Sequence, residues 1–152
     1  MLEKLERLLE QVVTLQSKLV LLIGVPQSGK TALLQALATK RGATLLNIGK
    51  ALGGRLAEIP QRQRHLQAHS ILRELSDQYA TGDVLLVDNI ELLFDQSLHL
   101  DPLDQLKRHA HARRVVAVWP GELRDGRLTY AVMGHPEHQD YDLEGLVPFA
   151  IQ

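Results

Sequence analysis

Gly24-Val25-Pro26-Gln27-Ser28-Gly29-Lys30-Thr31 has the spacing G-x-x-x-x-G-K-[ST] of a phosphate-binding loop. Lys18-Leu19-Val20-Leu21-Leu22-Ile23 precedes it and predicts a buried strand. Ala32-Leu33-Leu34-Gln35-Ala36-Leu37-Ala38 follows it and predicts a helix. Strand, glycine loop and helix in that order form the context the motif needs. The two glycines let the main chain wrap closely around an anion, while N–H groups and the positive helix end face it. The expected phosphate contacts run through Gly24, Val25, Pro26, Gln27, Ser28, Gly29, Lys30, Thr31 and Ala32. Lys30 would reach the β- and γ-phosphates of a nucleotide, and the Thr31 hydroxyl would ligate Mg²⁺.

Outward from the loop, strands and helices alternate. The first helix, expected over residues 30–41, closes at Gly42. A second strand is expected over 43–48 and a short helix over 50–59, stopped by Pro60. A long helix follows over 62–80, then a third strand over 83–88. Pro102 opens another helix to Ala112, with Asp101 as its N-cap. A fourth strand spans 114–119, Pro120-Gly121 turns the chain, and a fifth strand is expected over 127–132. Before all of these, Leu2, Leu5, Leu8, Leu9, Val12, Val13 and Leu15 give residues 1–16 the pattern of an N-terminal amphipathic helix over 2–16, whose apolar face either packs on the domain or binds a partner. Residues 133–152, rich in His, Pro, Asp and Glu, read as an irregular tail. The fold class expected is α/β: a P-loop NTPase three-layer sandwich, with a mostly parallel five-stranded sheet covered on both faces, as one domain over 1–152.

Composition bounds the function. The chain has 152 residues, 45 % hydrophobic and 23 % charged, enough for one real core. A net charge of −1 gives no global pull toward nucleic acid, so DNA contact is possible but not indicated. Cysteine is absent, which removes disulfides and thiolate zinc sites and fits a cytoplasmic location. No apolar run approaches the ~20 residues of a membrane span, and the charged start Met1-Leu2-Glu3-Lys4-Leu5-Glu6-Arg7 is unlike a signal peptide.

Hydrolysis needs an acid beside the metal. Val84-Leu85-Leu86-Val87-Asp88 is an apolar strand that delivers Asp88 to its C-terminal end, where it would hold Mg²⁺ together with Thr31. Asn89 comes next, where many ATPases of this architecture carry a Glu as general base. An amide cannot accept the proton but can orient a water. If the strand extends, Glu91 shares a face with Asn89; if a helix starts at Asn89, the Asn is a cap and Glu91 a first-turn acid. Either arrangement implies slow intrinsic hydrolysis. Arg55, Arg62, Arg64 and Arg73 precede the third strand, and Arg108, Arg113 and Arg114 precede the fourth. Arg113 and Arg114 are the candidates for an arginine acting on a neighbour's γ-phosphate, which would make ATP promote self-association. Of the seven histidines, the pairs His109-x-His111 and His135-x-x-His138 lack further ligands in a recognisable metal set.

Four stretches together resemble a known family: Gly24 to Thr31; Val87-Asp88-Asn89-Ile90-Glu91-Leu92-Leu93-Phe94; Val118-Trp119-Pro120-Gly121; and Leu128-Thr129-Tyr130-Ala131 with Gly134-His135-Pro136-Glu137. The family is BrxF, the small P-loop proteins of type 3 bacteriophage-exclusion (BREX) systems. The resemblance implies a bacterial cytoplasmic defence protein working beside other BREX proteins, among them a DNA methyltransferase and larger ATPases. The chain is also similar to the core of AAA+ or STAND ATPases, without their helical lid. The expected cofactors are ATP and Mg²⁺, and the expected activity is a slow Mg²⁺-dependent ATPase. The rival expectations are a nucleotide-switched binding module with little hydrolysis and, last, a small-molecule kinase.

Overall fold

The computed structural model describes residues 1–25, 27–130 and 139–151. Among the described residues, eight strands and five α-helices follow one another. They are α1 (Leu2–Gln11), β1 (Leu19–Ile23), α2 (Lys30–Arg41), β2 (Leu45–Asn47), α3 (Ile48–Leu56), α4 (Arg64–Tyr79) and β3 (Val84–Asp88). Then come α5 (Pro102–Ala112), β4 (Arg114–Val118), β5 (Glu122–Arg124), β6 (Arg127–Tyr130), β7 (Gln139–Tyr141) and β8 (Val147–Ala150). The main sheet has five strands in the order β2-β3-β4-β1-β8, every neighbouring pair parallel.

Period-two alternation in the apolar strands splits the core between two faces. Leu19, Leu21, Leu85, Val87, Val115 and Ala117 pack under α3, α4 and α5. Val20, Leu22, Val84, Leu86, Val116 and Val118 pack under α1 and α2. This is the three-layer α/β sandwich of a P-loop protein. Leu5, Leu9 and Val12 are buried in the second cluster, so the N-terminal helix covers this domain. It ends at Gln11, earlier than residue 16, and continues as a 3-10 turn over Val12–Thr14, where β-branched residues disfavour α-helix. Similarly, α3 starts at Ile48, two residues early, because the Asn47 side chain accepts from Lys50 N and caps it.

The C-terminal third corrects the expected strand assignment. Arg127–Tyr130 does not join the main sheet: β6 pairs antiparallel with β5 and β7 in a separate three-stranded sheet. The fifth main-sheet strand is β8, within the stretch read as an irregular tail. Pro148 disguises it, because proline lacks a ladder donor; β8 tolerates it as an edge strand paired only with β1. The crossover from β4 to β8 thus carries a small sheet where a helix is customary. Its Leu128 is fully buried, and Trp119 Nε1 donates to the Thr129 carbonyl at 2.9 Å. Residues 131 and 132 of the expected fifth strand and the pair His135/His138 lie outside the described residues.

Candidate nucleotide site

A parallel sheet brings the C-terminal ends of its strands to one edge, and ligands of open α/β sheets bind there. The loop after β1 stands at that edge between the ends of β4 and β8. Gln27 and Gly29 take left-handed backbone conformations, φ 65° and 94°, and Gly29 caps α2. A Cβ on Gly24 would stand 2.5 Å from Ser28 Oγ and 3.1 Å from the Ile151 carbonyl, so only glycine fits. Ser28 Oγ is buried without a hydrogen-bond partner among the described residues. An orphan donor inside a loop that heads a helix is what an anion would satisfy. Pro26, within the loop, lies outside the described residues.

Lys30, first residue of α2, donates from Nζ to the Gly24 carbonyl at 3.0 Å and the Trp119 carbonyl at 2.9 Å. Burial holds its pKa below the usual lysine value, countered by the carboxylates of Glu91, Glu122 and Asp88. Thr31 Oγ1 lies 3.5 Å from Asp88 Oδ1. A hydroxyl and a carboxylate at that separation are hard oxygen donors of the kind Mg²⁺ uses beside phosphate oxygens and water, so the residues present fit the ion. Ala32 follows them in the exposed first turn of α2.

Asn89 is held by its neighbours. It adopts a left-handed conformation, φ 53°, after β3, and a 3-10 turn, Ile90–Phe94, follows. This is the second of the two sequence alternatives, with a tighter helix and without a side-chain cap. Its Nδ2 donates instead to Asn47 Oδ1 at 3.0 Å, its carbonyl accepts from Gly49 N at 3.1 Å, and its own N–H donates to Asp88 Oδ1 at 2.8 Å. A Cβ on Gly49 would stand 2.5 Å from Asn89 Nδ2. Asn89 therefore ties the end of β3 to the β2–α3 junction. Glu91 is exposed in the first turn that follows, on the side of Lys30.

Arg113 and Arg114 lie away from this edge. Arg114 opens β4, at the amino-terminal edge of the sheet, and Arg113 precedes it. Arg114 grips Asp83 through Nε and Nη2, at 3.1 and 2.7 Å, and donates to the Leu9 carbonyl at 2.9 Å. Arg113 bonds the Ser76 carbonyl and Asp77, both at 2.7 Å. Their side chains are only 20 % and 12 % exposed, so both guanidiniums are committed to holding helices on the sheet. Neither is brought to the loop of its own chain.

Two groups at the site carry no motif of their own: Asn47 and the Trp119 carbonyl. Asn47 falls inside the strand expected over 43–48, and the structure makes it the last residue of β2 and the register partner of Asp88. A main-chain carbonyl carries no sequence signal at all. Among the described residues no group of three or more His, Cys, Asp or Glu is placed to hold a metal, and no helix is long and apolar enough to cross a membrane.

No described protein family matches the sequence, and no curated protein matches it. Solved structures do. The AMPPCP-bound DnaA from Aquifex aeolicus superposes with a TM-score of 0.54 at 18 % identity, over 99 % of this chain and 44 % of that one. A DNA replication initiation factor gives 0.50 at 19 % identity, again over 99 % and 44 %. PCH-2 of C. elegans gives 0.44 at 14 % identity, over 98 % and 41 %. The chain spans less than half the length of these structures. At such identities the likeness of the first two is one of fold, and the fold is the P-loop α/β fold.

Proposed function

We propose that the chain binds ATP with Mg²⁺ and hydrolyses it slowly, as a cytoplasmic subunit of a bacterial antiphage system of the BREX kind. The observation that carries the nucleotide part is the convergence of Lys30, Thr31 and Asp88, from two separate elements, on one glycine loop. Lys30 would exchange its two carbonyl partners for phosphate oxygens. The loop's main-chain N–H groups and the start of α2 would hold the remaining phosphate charge. Thr31 and Asp88 would hold Mg²⁺, which when bound neutralises charge on the β- and γ-phosphates. Slow turnover follows from Asn89, which occupies the place of a base and is held by Asn47. The fold likeness to AMPPCP-bound DnaA supports the nucleotide class, and the four sequence stretches support the BREX assignment. Association with other BREX proteins belongs to the same reading.

The Asn89–Asn47 bond also favours a second reading, a nucleotide-switched scaffold that recruits partners with little hydrolysis. Calorimetry with ATP and Mg²⁺ tests the shared core. Lys30→Ala should lower ATP affinity roughly 30-fold or more, the loss of about 2 kcal/mol in charge-assisted bonds. Equal affinity in parent and variant would sink the nucleotide assignment. Steady turnover by the parent protein separates the enzyme from the scaffold.

A further inference from the structure

Trp119 stands where the main sheet gives way to the small one, and it is bonded in three directions. Its N–H donates to the Leu22 carbonyl at 2.9 Å and completes the pairing of β4 with β1. Its carbonyl accepts from Lys30 Nζ at 2.9 Å. Its indole Nε1 donates to the Thr129 carbonyl on β6, also at 2.9 Å. One residue thus joins the lysine of the phosphate loop to the small sheet. The next two residues give no slack. Pro120 has no N–H to donate, and a Cβ on Gly121 would overlap the Thr129 carbonyl oxygen. Thr129 is tied a second time, because its Oγ1 donates to the Glu122 carbonyl at 3.3 Å.

We propose that the Lys30–Trp119 bond is a latch through which nucleotide phosphate resets the small sheet β5-β6-β7. The proposal rests on the nucleotide-binding reading above. Lys30 has three protons to donate, and two of them go to the Gly24 and Trp119 carbonyls. Phosphate oxygens carry formal charge, so they bind an ammonium more strongly than neutral carbonyls do. When Lys30 turns to phosphate, the Trp119 carbonyl loses its donor inside a fully buried residue. A buried acceptor without a partner is costly, so the Trp119–Pro120 peptide turns toward another donor. That turn displaces Gly121, which passes the displacement to Thr129 because no gap separates them. A ligand shifts an equilibrium only through a bond that differs between the two states, and here that bond is the one from Lys30. Leu123, Arg124 and Arg127 of the small sheet are exposed, so the change is presented to solvent.

Trp119 is the chain's only tryptophan, so its emission reads the latch directly. ATP with Mg²⁺ added to the full chain should shift that emission to the red, along the same isotherm as calorimetry. Amides over residues 122–130 should exchange with deuterium faster by on the order of tenfold, the effect of one lost hydrogen bond. Lys30→Ala without nucleotide should already show both changes, and ATP should add nothing further. Trp119→Phe keeps the carbonyl but loses the bond to Thr129, so exchange over 122–130 should be fast and indifferent to ATP. Binding of ATP by calorimetry with emission and exchange unaltered overturns the latch. A parent that binds no ATP overturns the nucleotide reading instead. In that event unaltered exchange in Lys30→Ala overturns the latch as well, so the two failures are distinct.

Discussion

At the scale of single residues, Asn89 shows how a position's neighbours decide its role. An amide after a metal-binding acid invites the idea that Glu would restore a base there. The structure makes the opposite expectation. Asn89 donates from Nδ2 to Asn47 Oδ1, an oxygen that also caps α3 through Lys50 N. A carboxylate at 89 has no proton to donate and would face that oxygen as a like partner, with Gly49 leaving no room to turn. Asn89→Glu should therefore lose about 1–3 kcal/mol of stability without gaining turnover. Thermal melting and a phosphate-release assay check it; a faster enzyme with an unchanged melting temperature would show that position 89 faces the nucleotide after all.

At the scale of elements, the small sheet β5-β6-β7 is held to the nucleotide edge by aromatic contacts and one glycine. Trp119 meets Phe94 and Tyr141 edge-on, each at 5.5 Å between centroids, and Phe94 stacks on Tyr130 at 3.7 Å. These rings come from four separate segments, so their packing joins the sheet, the 3-10 turn bearing Glu91 and the end of β4. Gly121 is the point of closest approach. Gly121→Ala must push β5 off β6, at about 3 kcal/mol for overpacking that cannot relax. Trp119 is the chain's only tryptophan and is fully buried. A red-shifted indole emission together with a lower melting temperature is expected; an unshifted spectrum would mean that the turn yields without cost.

At the scale of the whole molecule, His109 makes stability depend on pH. It lies on α5, with Nε2 buried and without a hydrogen-bond partner among the described residues. Burial, reinforced by Arg113, pushes its pKa down from 6.5 to about 4. The unfolded chain thus binds a proton that the folded one refuses, so stability is full above pH 6.5 and is lost as pH falls from there toward about 4. His109→Phe should flatten that dependence in urea titrations across the window, and an unaltered slope would assign the effect to other groups. Much of the molecule was legible beforehand. The phosphate loop, the two-sided sheet, α2 and α5 are set by local chemistry: glycine spacing, apolar runs, an Asp N-cap before proline. The buried N-terminal helix followed from its leucine spacing. What lay beyond reach depended on which distant segments share an edge. Pro148 hides β8 from any local rule. Arg113 and Arg114 read as free until the sheet places them at the far end, against Asp77 and Asp83. Sequence by itself determines which pieces form, because helix, strand and loop preferences are short-range. Only tertiary structure decides which side chains face the phosphates, because parallel pairing joins strand ends far apart in the chain.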